Sequence, residues 1–188
     1  MANNGANVVA IQMTSSPLVE DNLLFVEQQL KLLPPQRPCL VVLPECFACF
    51  GGGDKLLLKI AEDLHQGPIQ LKLKQFAIQY GIWLVSGSLP LRCTTANKFT
   101  ASCLLINEHG EIVEEYQKIH LFDVKVADVT GTYLESRNTQ AGNKLIVIST
   151  PFGVLGLAIC YDIRFAGMFI AMNQIAQLDV LVLPAAFT

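Results

Sequence analysis

The run Gly153-Val154-Leu155-Gly156-Leu157-Ala158-Ile159 carries no charge and no polar alternation. It has the length of a β-strand, and only a strand covered on both faces hides it from water. Cys39–Leu43 and Leu178–Pro184 read as further buried strands, and Asn7–Met13 and Ile82–Ser88 as strands before and between the helical segments. Between them the apolar period changes to that of a helix. Leu23, Val26, Leu30 and Leu33 recur along Leu18–Leu33 until Pro34-Pro35 stops the pattern, and helical spacing returns over Asp54–Asp63 and Pro68–Tyr80. Alternating strands and helices predict an α/β fold. Two hairpins add antiparallel pairing: Phe99–Ile106 with Glu111–Gln117 around Asn107–Gly110, and Lys144–Ser149 with Val154–Ile159 around Pro151–Gly153. The polar stretch Lys118–Gly142 reads as a loop, and loops of that length in compact domains are usually functional.

The 188 residues show no shift of composition, which predicts one domain over residues 1–188. Hydrophobic residues make up 52% and charged residues 15%, so part of the surface is expected to be covered by another subunit or by further chain. A net charge of -3 without a basic stripe excludes nucleic acid and anionic membrane as expected partners. Asp162 and Arg164 interrupt the longest apolar stretch, and Met1-Ala2-Asn3-Asn4 lacks the basic and apolar regions of a secretion signal. The six cysteines, several of them inside apolar runs, are expected as free thiols in a cytoplasm.

Cys160 stands where the buried run ends and helix-compatible residues begin, a junction where backbone N–H groups favour a thiolate and can hold an oxyanion. A lone cysteine on an apolar strand is nevertheless more often inert core. Glu45 follows Leu43-Pro44 at a strand's C-terminal end, where open α/β sheets place their chemistry. Lys118 closes the hairpin strand and, taken alone, reads as a surface lysine. His120, oriented by Asp123 or another acid, offers a rival Cys/His dyad. Cys46 and Cys49 have CxxC spacing, but no second pair completes a zinc site, and Gly51-Gly52-Gly53 lacks the Lys-Ser/Thr of a phosphate loop.

Taken in order, strand-Pro44-Glu45, then Tyr116-x-Lys118-x-His120-Leu121-Phe122-Asp123, then Ile159-Cys160-Tyr161-Asp162-x-Arg164-Phe165, the chain resembles the nitrilase superfamily of carbon-nitrogen hydrolases. The resemblance implies a four-layer α-β-β-α sandwich with mixed sheets, incomplete at the C-terminus. It implies a Glu45-Lys118-Cys160 triad, with Glu135 supporting and the Tyr161 N–H as an oxyanion donor. The implied activity is hydrolysis of a small linear, carboxylate-bearing amide through a thioester, as in ω-amidases and deaminated-glutathione amidases, with no metal and no cofactor. A homodimer or higher homo-oligomer is the implied assembly. The alternative is a catalytically silent or truncated interaction protein, and nitrile hydrolysis ranks below both. Two departures accompany the resemblance. Ala166-Gly167-Met168 replaces the family's Pro-Glu-Leu, which removes two contributions to the helix start. The family pattern also continues beyond Ala186-Phe187-Thr188, so the chain is expected to be incomplete, or covered by an assembly.

Overall fold

The computed structural model describes residues 5–125 and 132–186. Three parallel strands open the chain: β1 (Asn7–Ala10), β2 (Cys39–Val42) and β3 (Trp83–Val85) lie side by side. Helix α1 (Val19–Leu30) links the first two, and α2 (Asp54–Ile60) and α3 (Pro68–Tyr80) lie between the second and third. β5 (Phe99–Ile106) is long enough to serve three neighbours. One edge pairs with β3 through Leu105 and Ile106 and with β4 (Leu89–Arg92) through residues 99–102, while β6 (Ile112–Gln117) takes the other edge. These six strands form one mixed sheet.

A smaller sheet holds β9 (Ile146–Thr150), β10 (Gly153–Leu157) and β11 (Val180–Val182). β10 runs antiparallel to β9 and parallel to β11, with α4 (Ala166–Ile175) in the crossover. The pleat explains how two sheets share one molecule. Successive side chains of a strand point to opposite faces, and on β2 Cys39 and Val41 join one core while Leu40 joins another. On β5, Leu104 and Ile106 go with the first, Cys103 and Leu105 with the second. The first core lies against α1 and α3 through Val26, Leu30, Leu73 and Phe76. The second is shared with Leu155, Leu157 and Val182 of the small sheet and with Met168 and Met172 of α4. The layers therefore run helix, sheet, sheet, helix. Each fully buried leucine between them contributes roughly 1.5–3 kcal/mol.

Several boundaries differ from the sequence pattern for local reasons. Helical spacing from Asp54 to Asp63 breaks at Ala61, which is extended, and buried Glu62 leaves to accept the free amides of Ile69 and Gln70 at the start of α3. β4 follows directly on the strand predicted over Ile82–Ser88. The polar segment after β6 holds two short antiparallel strands, β7 (Asp123–Lys125) and β8 (Thr132–Leu134), and a 3-10 turn over Glu135–Arg137; its residues 126–131 lie outside those described. Among the described residues no helix is long and apolar enough to cross a membrane.

Candidate active site

Glu45 follows β2 after Leu43-Pro44, in a turn anchored by buried Phe47 and Ala48. The amide of Cys46 (φ 54°) donates to Ser88 Oγ at 2.8 Å, tying this turn to the chain after β3. Gly87 makes the approach possible: a Cβ there would lie 1.9 Å from the Pro44 carbonyl oxygen, and its φ of +67° suits glycine. The carboxyl group is thus carried on a rigid strand end.

Lys118 continues the hairpin past β6, its amide donating to Ala101 at 2.9 Å and its carbonyl accepting from Gly142 at 2.9 Å. Gly142 again permits close passage, since a Cβ would meet the Gln117 carbonyl oxygen at 2.3 Å. The ammonium is 2% exposed, and a buried charge requires partners. It donates to Glu45 Oε1 at 2.9 Å and to both oxygens of Glu135 at 3.1 and 2.9 Å. Burial alone would lower the lysine's pKa, but Glu45 and then Glu135 outweigh it and the net shift is upward. Lys118 stays an ammonium. Glu135 is itself held by the Phe122 amide, 2.6 Å from Oε2.

The nucleophile candidate sits on a 3-10 turn over Cys160–Arg164 at the end of β10. Its φ of 45° lies in the left-handed region, a strained position for a non-glycine residue. Asp162 holds the turn in place. This fully buried carboxyl accepts from Tyr116 Oη (2.6 Å) and the Ile159 amide (2.9 Å) on Oδ2, and from the His120 amide (3.0 Å) on Oδ1, which also lies 2.7 Å from His120 Nδ1. The Cys160 amide donates to the Pro184 carbonyl at 2.8 Å, just beyond β11. The following helix begins at Ala166 without a side-chain cap and is anchored instead by buried Met168 and Met172. The weak start expected from Ala166-Gly167 is offset by packing.

Burial first, then the charge and hydrogen bonding of Glu45, push the Cys160 thiol up to about 12, and the Ala186 amide and Lys118 only partly offset them. Cys160 rests as a neutral thiol beside a carboxyl group. Glu45, Lys118, Glu135 and Cys160 all line one cavity of about 580 Å³, with Phe122 and Tyr161 among its aromatic walls.

His120 is not among the residues lining this cavity. Its ring is bonded to Asp162 and stacked on Phe165 at 3.6 Å between centroids, which makes it a brace of the turn rather than a partner of the thiol. Among the described residues Cys46 and Cys49 are free thiols, and no cluster of His, Cys, Asp and Glu could hold a metal ion. Two participants escaped the sequence reading. The Ala186 amide donates to Glu45 Oε2 at 2.9 Å across 141 positions, which no local pattern announces. Asp162 stands two residues after the candidate thiol, and that adjacency was its signal.

The sequence pattern of the family described as Carbon-nitrogen hydrolase matches residues 7–183. The chain is 38% identical over 184 residues to a deaminated glutathione amidase of Yersinia enterocolitica, covering 97% of this chain and 63% of that protein. It is 34% identical over 179 residues to human omega-amidase NIT2, covering 94% and 62%. In structure it is similar to Saccharomyces cerevisiae Nit3, a member of branch 10 of the nitrilase superfamily, with a TM-score of 0.75, 28% identity, and coverage of 93% of this chain and 61% of that one. The chain thus spans about three fifths of the length of these relatives.

Proposed function

The chain belongs to the carbon-nitrogen hydrolase family, and we propose that it is a cysteine-dependent amidase that hydrolyses a small linear, carboxylate-bearing amide to acid and ammonia or amine. The observation that carries this reading is the shared Lys118 ammonium, which holds Glu45 on one side and Glu135 on the other in the cavity into which Cys160 opens. The names of the relatives, deaminated glutathione amidase and omega-amidase, support the substrate class. The reading takes residues 1–188 as one carbon-nitrogen hydrolase domain that works in the cytoplasm as a homodimer or higher homo-oligomer. Exposed Ile170 and Ile175 on α4 are apolar surface that a second subunit would cover.

With the thiol pushed up to about 12, a standing thiolate is scarce at neutral pH. Proton transfer therefore accompanies attack. As Cys160 Sγ bonds to the amide carbon, Glu45 accepts the thiol proton. The carbonyl electrons move onto oxygen, where the Lys118 ammonium and the Tyr161 N–H hold the oxyanion; loss of one such donor costs about 3–4 kcal/mol of barrier. Collapse expels the nitrogen, protonated by Glu45, and leaves a thioester. Glu45 then takes a proton from water, the resulting hydroxide equivalent attacks the thioester, and the acid departs as the thiol is restored. Glu135 fixes the position of Lys118. The same triad could attack a nitrile, which serves as the comparison substrate.

The test is ammonia release from monoamides of succinate and glutarate, with Cys160→Ala as control and intact mass used to trap an acylated chain. Release that depends on Cys160, with an acyl mass increment, is the expected result. A folded chain that neither releases ammonia nor accepts an acyl group would instead be a silent interaction protein.

A further inference from the structure

Resting on the amide-hydrolase reading of the same cavity, we propose that the Tyr116 hydroxyl is a positioning group that sets the separation between the Lys118 ammonium and the Cys160 thiol. Lys118 extends β6 of the large sheet, and Cys160 follows β10 of the small one. The ammonium has to meet the oxygen of the amide whose carbon bonds to Sγ, so the spacing of the two groups depends on what ties the two backbones together. Partners outside the pair hold each of them: Ala101 and Gly142 for the Lys118 backbone, and Pro184 for the Cys160 amide.

Among the described residues, the hydrogen bonds between the stretch 116–120 and the turn 159–162 all end on the Asp162 carboxyl group. Tyr116 Oη donates to Oδ2 at 2.6 Å, and the same oxygen accepts the amide of Ile159, directly before the thiol, at 2.9 Å. On its other side Tyr116 Oη accepts the amide of Ile119, directly after the lysine, at 3.2 Å. One path thus runs from the neighbour of Lys118 to the neighbour of Cys160 through a single hydroxyl group. His120 reaches Asp162 separately. Its amide and its ring both meet Oδ1, so loss of the ring leaves an amide on that oxygen, whereas loss of the Tyr116 hydroxyl breaks the path at its one link. Burial first and then the charge of Asp162 push the phenol's pKa upward, so the proton stays on Oη and the tyrosine remains the donor. A hydrogen bond to a carboxylate is shorter and stronger than one between neutral groups, which suits it to fix a distance. Tyr116 is fully buried between the sheets, opposite Cys103 of β5, and is not among the residues lining the cavity. Its hydroxyl therefore acts only through what it holds.

Tyr116→Phe removes that one atom and keeps the ring. With the monoamide of glutaric acid, kcat is expected to fall about 10- to 100-fold through misplacement of the reacting groups, with KM retained. Calorimetric binding of the same amide in the Cys160→Ala background should be unchanged. Butyraldehyde is the second probe. The Cys160 thiol adds across its C=O bond, sulfur to carbon and the thiol proton to oxygen, which places an oxygen atom where the oxyanion of hydrolysis would form. Its affinity, read by calorimetry on the chain with Cys160 present, should fall in Tyr116→Phe by a factor similar to that in kcat. A merely structural hydroxyl would lower the urea midpoint and leave kcat and the aldehyde affinity of the folded chain as they were, and that result would overturn the proposal. So would a KM that rises in step with the loss, weaker amide binding in the Cys160→Ala background, or a Tyr116→Phe chain that no longer unfolds cooperatively. A wild-type chain that hydrolyses no amide, but whose aldehyde affinity falls with Tyr116→Phe, would count against the amidase reading alone.

Discussion

Asp162 and Glu45 are both nearly inaccessible carboxyl groups, yet their surroundings differ. A carboxylate offers about four acceptor positions. Those of Asp162 are filled from β6, from the start of the polar segment and from its own turn. Glu45 receives one ammonium and one amide, on opposite oxygens, and beyond these only the Cys160 thiol. A saturated carboxyl group has no capacity left for a reacting proton and serves as a fastener, whereas an undersaturated one beside a thiol can exchange protons. The count of donors, rather than burial, distinguishes the two.

Glu45→Gln gives the largest expected effect. Turnover should fall about 10²- to 10⁴-fold through loss of the proton carrier, while Lys118 keeps Glu135 and the melting temperature stays close to wild type. Steady-state kinetics beside a thermal melt checks both halves, and retained turnover would break the contrast. Asp162→Ala is the complementary change. It leaves Tyr116 Oη, the Ile159 amide and the His120 amide without their acceptor, and a loss of about 3–5 kcal/mol is expected in urea unfolding. An unchanged unfolding midpoint would remove the distinction.

The smallest effect sharpens the account of the thiols. Cys160 and Cys46 are both pushed from 9.0 to about 12, chiefly by burial and then by Glu45. The folded protein therefore keeps these protons to higher pH than the unfolded chain. Their contribution is intact below about pH 9 and is lost as pH climbs toward 12. Wild type should lose stability across that window more steeply than a Cys46→Ser/Cys160→Ser variant, as read by urea unfolding at a series of pH values. Equal slopes would show that the two thiols are not held by burial and Glu45.

Much of the architecture was legible because buried strands announce themselves as uninterrupted apolar runs. α3 matches its predicted span over Pro68–Tyr80, with proline at its start and Gly81 in the left-handed conformation at its end. β4 was not legible: Leu89-Pro90-Leu91-Arg92 contains a proline that argues against a strand, and its pairing with β5 tolerates it. β7 has only three residues within a polar stretch, too few for periodicity to register. At the site, Glu45, Lys118 and Cys160 were joined only by the order of their motifs in the family resemblance; taken alone, Lys118 read as a surface lysine and Cys160 as core. The thiol's protonation state was not legible, because it depends first on burial and then on a carboxyl group more than a hundred residues away in sequence. Ala186 was hidden for the same reason, since it contributes only a backbone amide.

That amide has a consequence for biosynthesis. Glu45 and Lys118 emerge from the ribosome well before Pro184 and Ala186, which hold the Cys160 amide and the second oxygen of Glu45. A nascent chain can thus assemble the larger sheet and its buried ammonium while the nucleophile's turn still lacks β11. Contacts this distant in sequence form late, so the reactive geometry is completed only as β11 docks. Until then the Cys160 amide lacks its Pro184 acceptor and Glu45 lacks its Ala186 donor.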